Sequence, residues 1–297
     1  MYLTKEQIES TASLTSRQAA RKLGVGKTSV NKYRRHYAQY GDLKLPENAR
    51  VLIIDIESKP LTGYVWGLWK QNIGLSQIID SGGMICFAAK WLGSDEMLFY
   101  SDFADGHREM VYEAWKLLDE ADMIVTYNGD RYDIKRINNE FLKEGFTPPS
   151  PYKSIDLYKT NKVRFDLPSK KLDYIAELTG SGNKLKHQGF DLWVGCMEND
   201  PEAWQTMQEY NEQDVLLTER VYVKLLPWLT NVAHMGMFSG EGSACPYCGT
   251  SGLTETDTGR TTKTRVQEYA LYQCANCEGW SRGNKPIGEK LESRMVR

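Results

Sequence analysis

The chain reads as a three-part protein, a mixed α/β body set between a small all-α head and a small β tail. Three observations predict this. Residues 5–38 carry helical patterning broken only by short polar turns. From Val51 onward, short apolar strand-like runs give way to longer helical ones over most of the chain. Near the C-terminus, two C-x-x-C pairs bracket a β-rich stretch, Arg265–Gln273. Gly41, Pro46 and Asn48 mark a first linker, and a second runs from Gly236 to Gly242. The expected division is therefore 1–40, linker 41–50, body 51–236, and tail 237–297.

Within the body, strands are predicted at Val51–Ile56, Met84–Trp91, Met97–Tyr100, Met123–Tyr127 and Ser154–Tyr158. Helices are predicted at Arg108–Glu120, Ile134–Lys143, Lys171–Thr179 and Pro201–Leu226. The first strand, which bears Asp55 and Glu57, is expected at the centre of the sheet. The last helix has Asp200 available as N-cap and Pro201 in its first turn, and Pro227 ends it.

Composition narrows the function classes. Hydrophobic residues make up 41% and charged residues 26% of the 297, ordinary values for a globular protein. No apolar run approaches the roughly 20 residues needed to span a bilayer, and the N-terminus lacks the apolar stretch of a signal peptide, so a cytoplasmic protein is expected. The net charge of -2 is unevenly spread. Residues 1–50 hold ten Lys/Arg against four Asp/Glu, whereas residues 51–238 hold nineteen against twenty-eight. A basic head on an acidic body suits a nucleic-acid binder joined to a metal-dependent enzyme, and equally a solvated basic helix.

The informative residues are acids. Asp55 and Glu57 sit in Val-Leu-Ile-Ile-Asp-Ile-Glu, an apolar strand with two carboxylates one residue apart. Period-two alternation puts both on one face, where they repel unless a cation lies between them. Asp133 follows Tyr127-Asn-Gly-Asp-Arg-Tyr132, where a strand turns over Gly129 into a helix. Tyr210 and Asp214 stand at i and i+4 and share a helix face. Hard divalent cations prefer carboxylate oxygens, and two Mg²⁺ or Mn²⁺ ions about 4 Å apart can drive in-line hydrolysis of a phosphodiester. In that arrangement Asp55 bridges both ions, and Glu57 and Asp214 complete the ion that activates water. Asp133 holds the other ion, and the Tyr210 phenol orients the water. Taken alone, Asp130 and Asp133 also read as helix-cap and first-turn acids. Asp156 fits either support of the site or a plain turn, and Lys184 and Lys186 fit either phosphate contact or solvation.

D-x-E on a strand, Asn128-x-x-x-Tyr132-Asp133, and Y-x-x-x-D on a late helix together resemble the three motifs of the DEDD superfamily of ribonuclease H-like 3′–5′ exonucleases. Tyr210 in place of His aligns the chain with the tyrosine subclass, which includes the proofreading domains of family A and family B DNA polymerases. The surrounding residues are most similar to stand-alone phage and bacterial exonucleases. The resemblance covers about residues 50–228. It implies a mixed five-stranded sheet with helices on both faces, assigns Asn128 to substrate contact, and points to the neighbourhood of Leu172 as nucleotide site.

The head and tail carry two further signals. In Thr15–Arg35, Ala20 allows close helix approach, Gly24 suits a left-handed turn, and Leu23, Val25 and Val30 supply a small core. This segment resembles the helix-turn-helix of resolvases and transposases. Its second helix would present Lys27, Thr28, Ser29, Asn31, Lys32, Arg34 and Arg35 to DNA. In the tail, Cys245, Cys248, Cys274 and Cys277 have the spacing of a zinc ribbon, four thiolates closing one structural Zn²⁺ site. Tyr269, Tyr272 and Trp280, with Arg260, Lys263, Arg265 and Arg282, suit either a single-strand grip or the ribbon's own packing. Cys86 and Cys196 read as buried apolar residues.

The expected function is a two-metal-dependent 3′–5′ exonuclease acting on DNA, with single-stranded 3′ ends favoured and a phage or mobile-element setting. Its expected partners are nucleic acid, DNA ahead of RNA, and replication or recombination proteins. Two alternatives stay open: an RNA exonuclease or structure-specific endonuclease on the same site, and a non-catalytic DNA-binding regulator or assembly factor.

Overall fold

A computed structural model describes residues 10–11, 14–27, 30, 48–185, 189–251, 253–255 and 260–289. The chain divides into two units, Arg50–Leu225 and a second that combines Met1–Ala49 with Leu226–Arg297.

In the N-terminal segment, helix α1 (Ser16–Leu23) begins with a capping box. The Thr15 hydroxyl accepts from the Gln18 N–H, and Gln18 Oε1 accepts from the Thr15 N–H at 3.0 Å, so two otherwise orphaned donors are satisfied. Gly24 ends the helix at φ 67°, the left-handed turn expected there. Ala19, Ala20 and Val30 are buried together, with Leu14, Leu23 and Val25 packed around them. Lys27 is exposed, while Thr28, Ser29, Asn31, Lys32, Arg34 and Arg35 lie outside the described residues.

The unit Arg50–Leu225 runs β1 (Val51–Lys59), β2 (Thr62–Gly63), β3 (Ile78–Asp80), β4 (Gly83–Trp91), β5 (Leu98–Ser101), α2 (His107–Glu120) and β6 (Met123–Thr126). It continues through α3 (Asp133–Glu144), β7 (Lys153–Asp156), α4 (Leu157–Arg164), α5 (Leu172–Leu178), α6 (Phe190–Met197) and α7 (Pro201–Leu225). Five strands form one sheet in the order β5-β4-β1-β6-β7. β1 pairs antiparallel with β4 and parallel with β6, so the sheet is mixed and β1 is central, as expected. Beyond this sheet, β2 and β3 pair as a separate hairpin.

Strand alternation sorts β1 between two layers. Leu52, Ile54 and Ile56 pack with Met110, Val111, Ala114 and Leu118 of α2 and with Ile137 and Phe141 of α3. On the other side, Ile85 and Cys86 of β4 pack with Leu192 and Cys196 of α6 and with Ala203, Trp204, Met207 and Tyr210 of α7. Helices therefore cover both faces, and Cys86 and Cys196 are apolar core residues, as expected. α7 is further tied to the sheet by an ion pair at 2.6 Å between Lys90, 4% exposed, and Glu219. Removing one partner of a buried pair like this typically costs about 3–5 kcal/mol.

Within this unit, two helices and one hairpin were not foreseen. α4 begins directly on the Asp156 cap, so its first residues read as the end of a strand. α6 has only eight residues, too few for a clear helical period. β2 and β3 have two and three residues, below the length at which alternation shows.

In the C-terminal segment, a short helix α8 (Gly236–Ser239) precedes β8 (Thr254–Glu255), β9 (Thr261–Lys263), β10 (Glu268–Gln273) and β11 (Trp280–Ile287). β8, β9 and β11 all pair antiparallel with β10, giving the small β module expected. The Arg282 guanidinium lies over the Tyr269 ring, 4.4 Å from its centroid. No described helix is long and apolar enough to cross a membrane.

Candidate active site

Asp55 and Glu57 emerge on the face of β1 that turns toward α7, and Asp214 comes down from that helix. One carboxylate oxygen from each lies within 4.8 Å of the other two. Burial pushes the Asp55 carboxyl well above its usual range, and repulsion from Asp133, Asp214 and Glu57 adds to it. Glu57 is pushed up to about 8, again by burial first and by Asp214 next. Oxygen donors at this spacing, costly to ionise in their own company, have the chemistry and geometry to hold a divalent cation.

Asp133 stands just outside this group. It begins α3, is buried, and its Oδ1 accepts from the Ile56 N–H at 3.4 Å, between the two acidic residues of β1. Burial raises its carboxyl to about 6. The four acids picked out in the sequence thus gather as three plus one.

Tyr210 lies one turn before Asp214 on α7, with Trp193 of α6 standing edge-on to its ring at 6.3 Å and 74°. Burial and the Asp214 charge raise its phenol above the usual tyrosine range. The phenol therefore keeps its proton at neutral pH.

Lys184, read from the sequence as touching phosphate or solvent, instead bonds the site's own residues. Its Nζ donates to Asp214 Oδ2 and, at 3.2 Å, to the Tyr210 hydroxyl. Burial works against its charge, but Asp214 and Tyr210 more than offset this, and its pKa ends above the usual lysine range. Lys186 and His187 lie outside the described residues.

The turn between β6 and α3 depends on close packing. A Cβ on Gly129 would fall 2.4 Å from the Thr126 side chain, so only glycine fits there. Asn128 adopts φ 68°, and its N–H donates to Asp156 Oδ1 at 2.9 Å. The same oxygen accepts from the Tyr158 N–H at 3.0 Å and starts α4. Asp156 therefore holds the Asn128 turn in place rather than joining the acid cluster.

Asn211 is a residue that sequence reasoning missed. Fully buried on α7, it donates from Nδ2 to Asp55 Oδ2 at 2.8 Å and to the Asp55 carbonyl at 3.2 Å. A cleft of about 360 Å³ opens over the acids and is lined by Asp55, Tyr127, Asn128, Tyr158, Lys170, Leu172, Lys184 and Asp214 among others. Two broader depressions of about 580 Å³, one of them bordering the cleft at Tyr158 and Lys170, contain none of these acids, so chemistry rather than size selects the cleft.

A sequence model of the RNase H superfamily matches residues 74–226. The chain belongs to the RNase H superfamily. The matched span starts beyond Asp55 and Glu57 and takes in Asp133, Tyr210 and Asp214. Among solved structures, a family B DNA polymerase from the hyperthermophilic archaeon Pyrobaculum calidifontis is similar at a TM-score of 0.48 and 16% identity. The match covers 76% of this chain and 33% of the polymerase chain, so it spans about a third of that protein's length. No curated protein matches the chain.

The C-terminal module of this RNase H superfamily member gathers its four cysteines in a second group that could hold a metal ion. All four sulfurs lie within 4.8 Å of one another. Cys245 Sγ is 3.6 Å from Cys277 Sγ, and Cys248 Sγ is 3.6 Å from Cys274 Sγ. Thiolates about 2.3 Å from a tetrahedral zinc have edges of roughly 3.8 Å, so donor type and spacing both fit that ion.

Proposed function

We propose that the chain is a two-metal-dependent 3′–5′ exonuclease that hydrolyses the phosphodiester bonds of DNA, single-stranded 3′ ends first. The observation that carries this is the convergence of Asp55, Glu57 and Asp214, with Asp133 beside them and Tyr210 one turn away. Asp55, Glu57 and Asp214 would hold one Mg²⁺ or Mn²⁺ ion, and Asp55 with Asp133 the second. When bound, the two ions would activate water and neutralise charge on the leaving oxygen. The protonated Tyr210 phenol orients the attacking water, and Lys184 moves from Asp214 to the phosphate as substrate enters. Asn128, held by Asp156, contacts the terminal nucleotide within the cleft.

In this reading residues 1–40 engage DNA, Lys27 among them, and residues 237–297 form a module closed by one structural Zn²⁺. The setting is the replication, repair or recombination of a phage or mobile element, in the cytoplasm, with proteins of that machinery as partners.

The test is incubation of single-stranded DNA, duplex DNA and RNA, labelled at either end, with Mg²⁺ or Mn²⁺. A ladder shortening from the 3′ end, absent for Asp55→Ala, is the expected result. Internal cuts, or degradation of RNA alone, would change the reaction or the substrate. If no strand is cut, a non-catalytic DNA-binding role takes its place.

A further inference from the structure

Between the catalytic strand and β4, residues 60–82 leave the sheet as the β2–β3 hairpin. Its shape is set by polar bonds rather than by an apolar core. Gln71 Oε1 accepts from the N–H groups of Trp66 and Gly67 at 3.1 and 3.3 Å. Gln77 Nε2 donates to the Tyr64 carbonyl at 2.9 Å, and Tyr64 N–H donates to the Gln77 carbonyl at 2.8 Å. The apolar side chains are left outside this framework: Trp66 is 98% exposed, Trp69 84%, Leu68 85% and Tyr64 75%. Scattered exposed apolar groups are ordinary, but such a set on one ordered hairpin marks a surface that meets a partner.

Three observations identify that partner. The hairpin springs from β1, the strand that carries Asp55 and Glu57, and its base is clasped by Lys59 Nζ on Asp80 at 2.5 Å. It thus leaves the sheet at the end of the strand that carries the two acids. Within residues 60–82 the charged side chains are Lys70, exposed at the hairpin tip, and Asp80, which pairs with Lys59 at the base, so the projecting part carries one cation and no acid. A cation beside exposed rings suits a strand with phosphates. The exposed groups also include three planar rings, Tyr64, Trp66 and Trp69, and nucleobases stack on such rings without demanding a particular sequence.

We infer that hairpin 60–82 is a stacking platform for unpaired bases of the nucleic-acid strand whose end lies in the cleft. This deepens the proposed nuclease reading and rests on it for the identity of the occupant. The aromatic rings hold the strand while the acids act on its terminal phosphate.

The experiment uses the full chain with Ca²⁺ in place of Mg²⁺, so that binding is read without cleavage. Fluorescein-labelled (dT)12 and (rU)12 are titrated by polarisation, and 5-iodouracil versions are photo-cross-linked and mapped by mass spectrometry. Trp66→Ala/Trp69→Ala is expected to weaken binding at least about tenfold, since each lost base stack is worth roughly that factor. Trp66→Leu/Trp69→Leu keeps the apolar surface but loses the planar rings, and is expected to bind as weakly. Trp66→Phe/Trp69→Phe restores most of the affinity, and cross-links fall within 60–82. Both tryptophans lie outside the core, so unchanged melting temperatures confirm that the variants fold.

Platform binding of either oligonucleotide supports the inference, and the two arms separate deoxyribose from ribose. Wild-type affinity in the Leu variant would overturn it and point to a protein-docking surface instead. Cross-links found only outside 60–82 would also overturn it. The nuclease reading fails separately: a chain that cross-links through the hairpin but cuts nothing in Mg²⁺ keeps the platform and loses the exonuclease.

Discussion

Asn211 Nδ2 bonds both the side chain of Asp55, at 2.8 Å, and its main-chain carbonyl, at 3.2 Å, so one amide on α7 fixes the carboxylate and the strand that carries it. In the proposed mechanism Asp55 would hold both ions, so its orientation would matter to each. The amide also adds no charge to a cluster already crowded with carboxylates.

Asn211→Ala is therefore expected to leave Asp55 without its donor. Outer partners of metal ligands typically matter by about 10–100-fold in affinity or activity. The lost buried hydrogen bond should lower stability by roughly 1–3 kcal/mol. Mn²⁺ titration and thermal melting read the two effects separately. Wild-type Mn²⁺ affinity in this variant would show that Asp55 is held by other contacts.

The raised carboxyls predict proton release on metal binding. With Glu57 at about 8 in the metal-free protein, a proton is still bound there at pH 7 and must leave when a cation arrives. The same shift makes the metal-free fold most stable below the ordinary value of 4.5, with stability lost as pH rises through about 8. Metal affinity should accordingly climb with pH up to about 8. Lys184 lowers the Glu57 and Asp55 carboxyls, so Lys184→Met should raise them further and release more protons at pH 7. Calorimetry in buffers of different ionisation enthalpy counts those protons, and a release independent of pH would contradict the account.

The candidate acids were legible in the sequence because two carboxylates on an apolar strand have no ordinary structural use. α7 was legible because Pro201 and Pro227 bracket it, and the left-handed Gly24 because it follows an apolar helix face. Asn211 was not, since its partner lies 156 residues away and a lone Asn in a long helix carries no local signal. Lys184 was ambiguous for the same reason: its loop is mostly glycine and polar residues, and its meaning comes from Asp214, 30 residues on. The exposed rings of 64–69 follow neither helical nor strand periodicity, because polar bonds rather than burial shape that hairpin.

A second charged cluster, remote from the acids, should make stability depend on pH in its own way. His107 Nδ1 bonds Asp102 at 2.8 Å and its Nε2 bonds the buried Glu140 at 3.2 Å, joining the start of α2 to α3. The bond to Asp102, then that to Glu140, raises the imidazole to about 10. A raised folded value gives stability that is complete below the ordinary 6.5 and lost as pH rises through about 10. His107→Gln should thus melt below wild type at pH 6, with the difference shrinking by pH 10. His107 is more than one-third exposed, so solvent screening will keep the difference modest. Parallel melting curves across this range would remove the proposed charge from His107.

The tail module should depend on its metal for folding. Among the described residues its buried cluster consists of Cys245, Cys248 and Cys274, with Tyr247, Leu253 and Cys277 packed against them. So little apolar surface cannot offset the entropy of ordering β8 to β11, whereas metal binding by four thiolates contributes about 10–16 kcal/mol in small zinc modules. Metal analysis should find one tightly held zinc per chain. Removing it with a strong chelator, or replacing Cys274 with Ser, should abolish hydrogen-exchange protection across β10 and β11. Protection of β1 and α7 should persist, because their layers close around Ile53, Ile54, Met207 and Val215 without any cysteine of the tail. If β10 and β11 stay protected after the zinc is gone, strand pairing alone holds the module, and the four cysteines serve something other than folding.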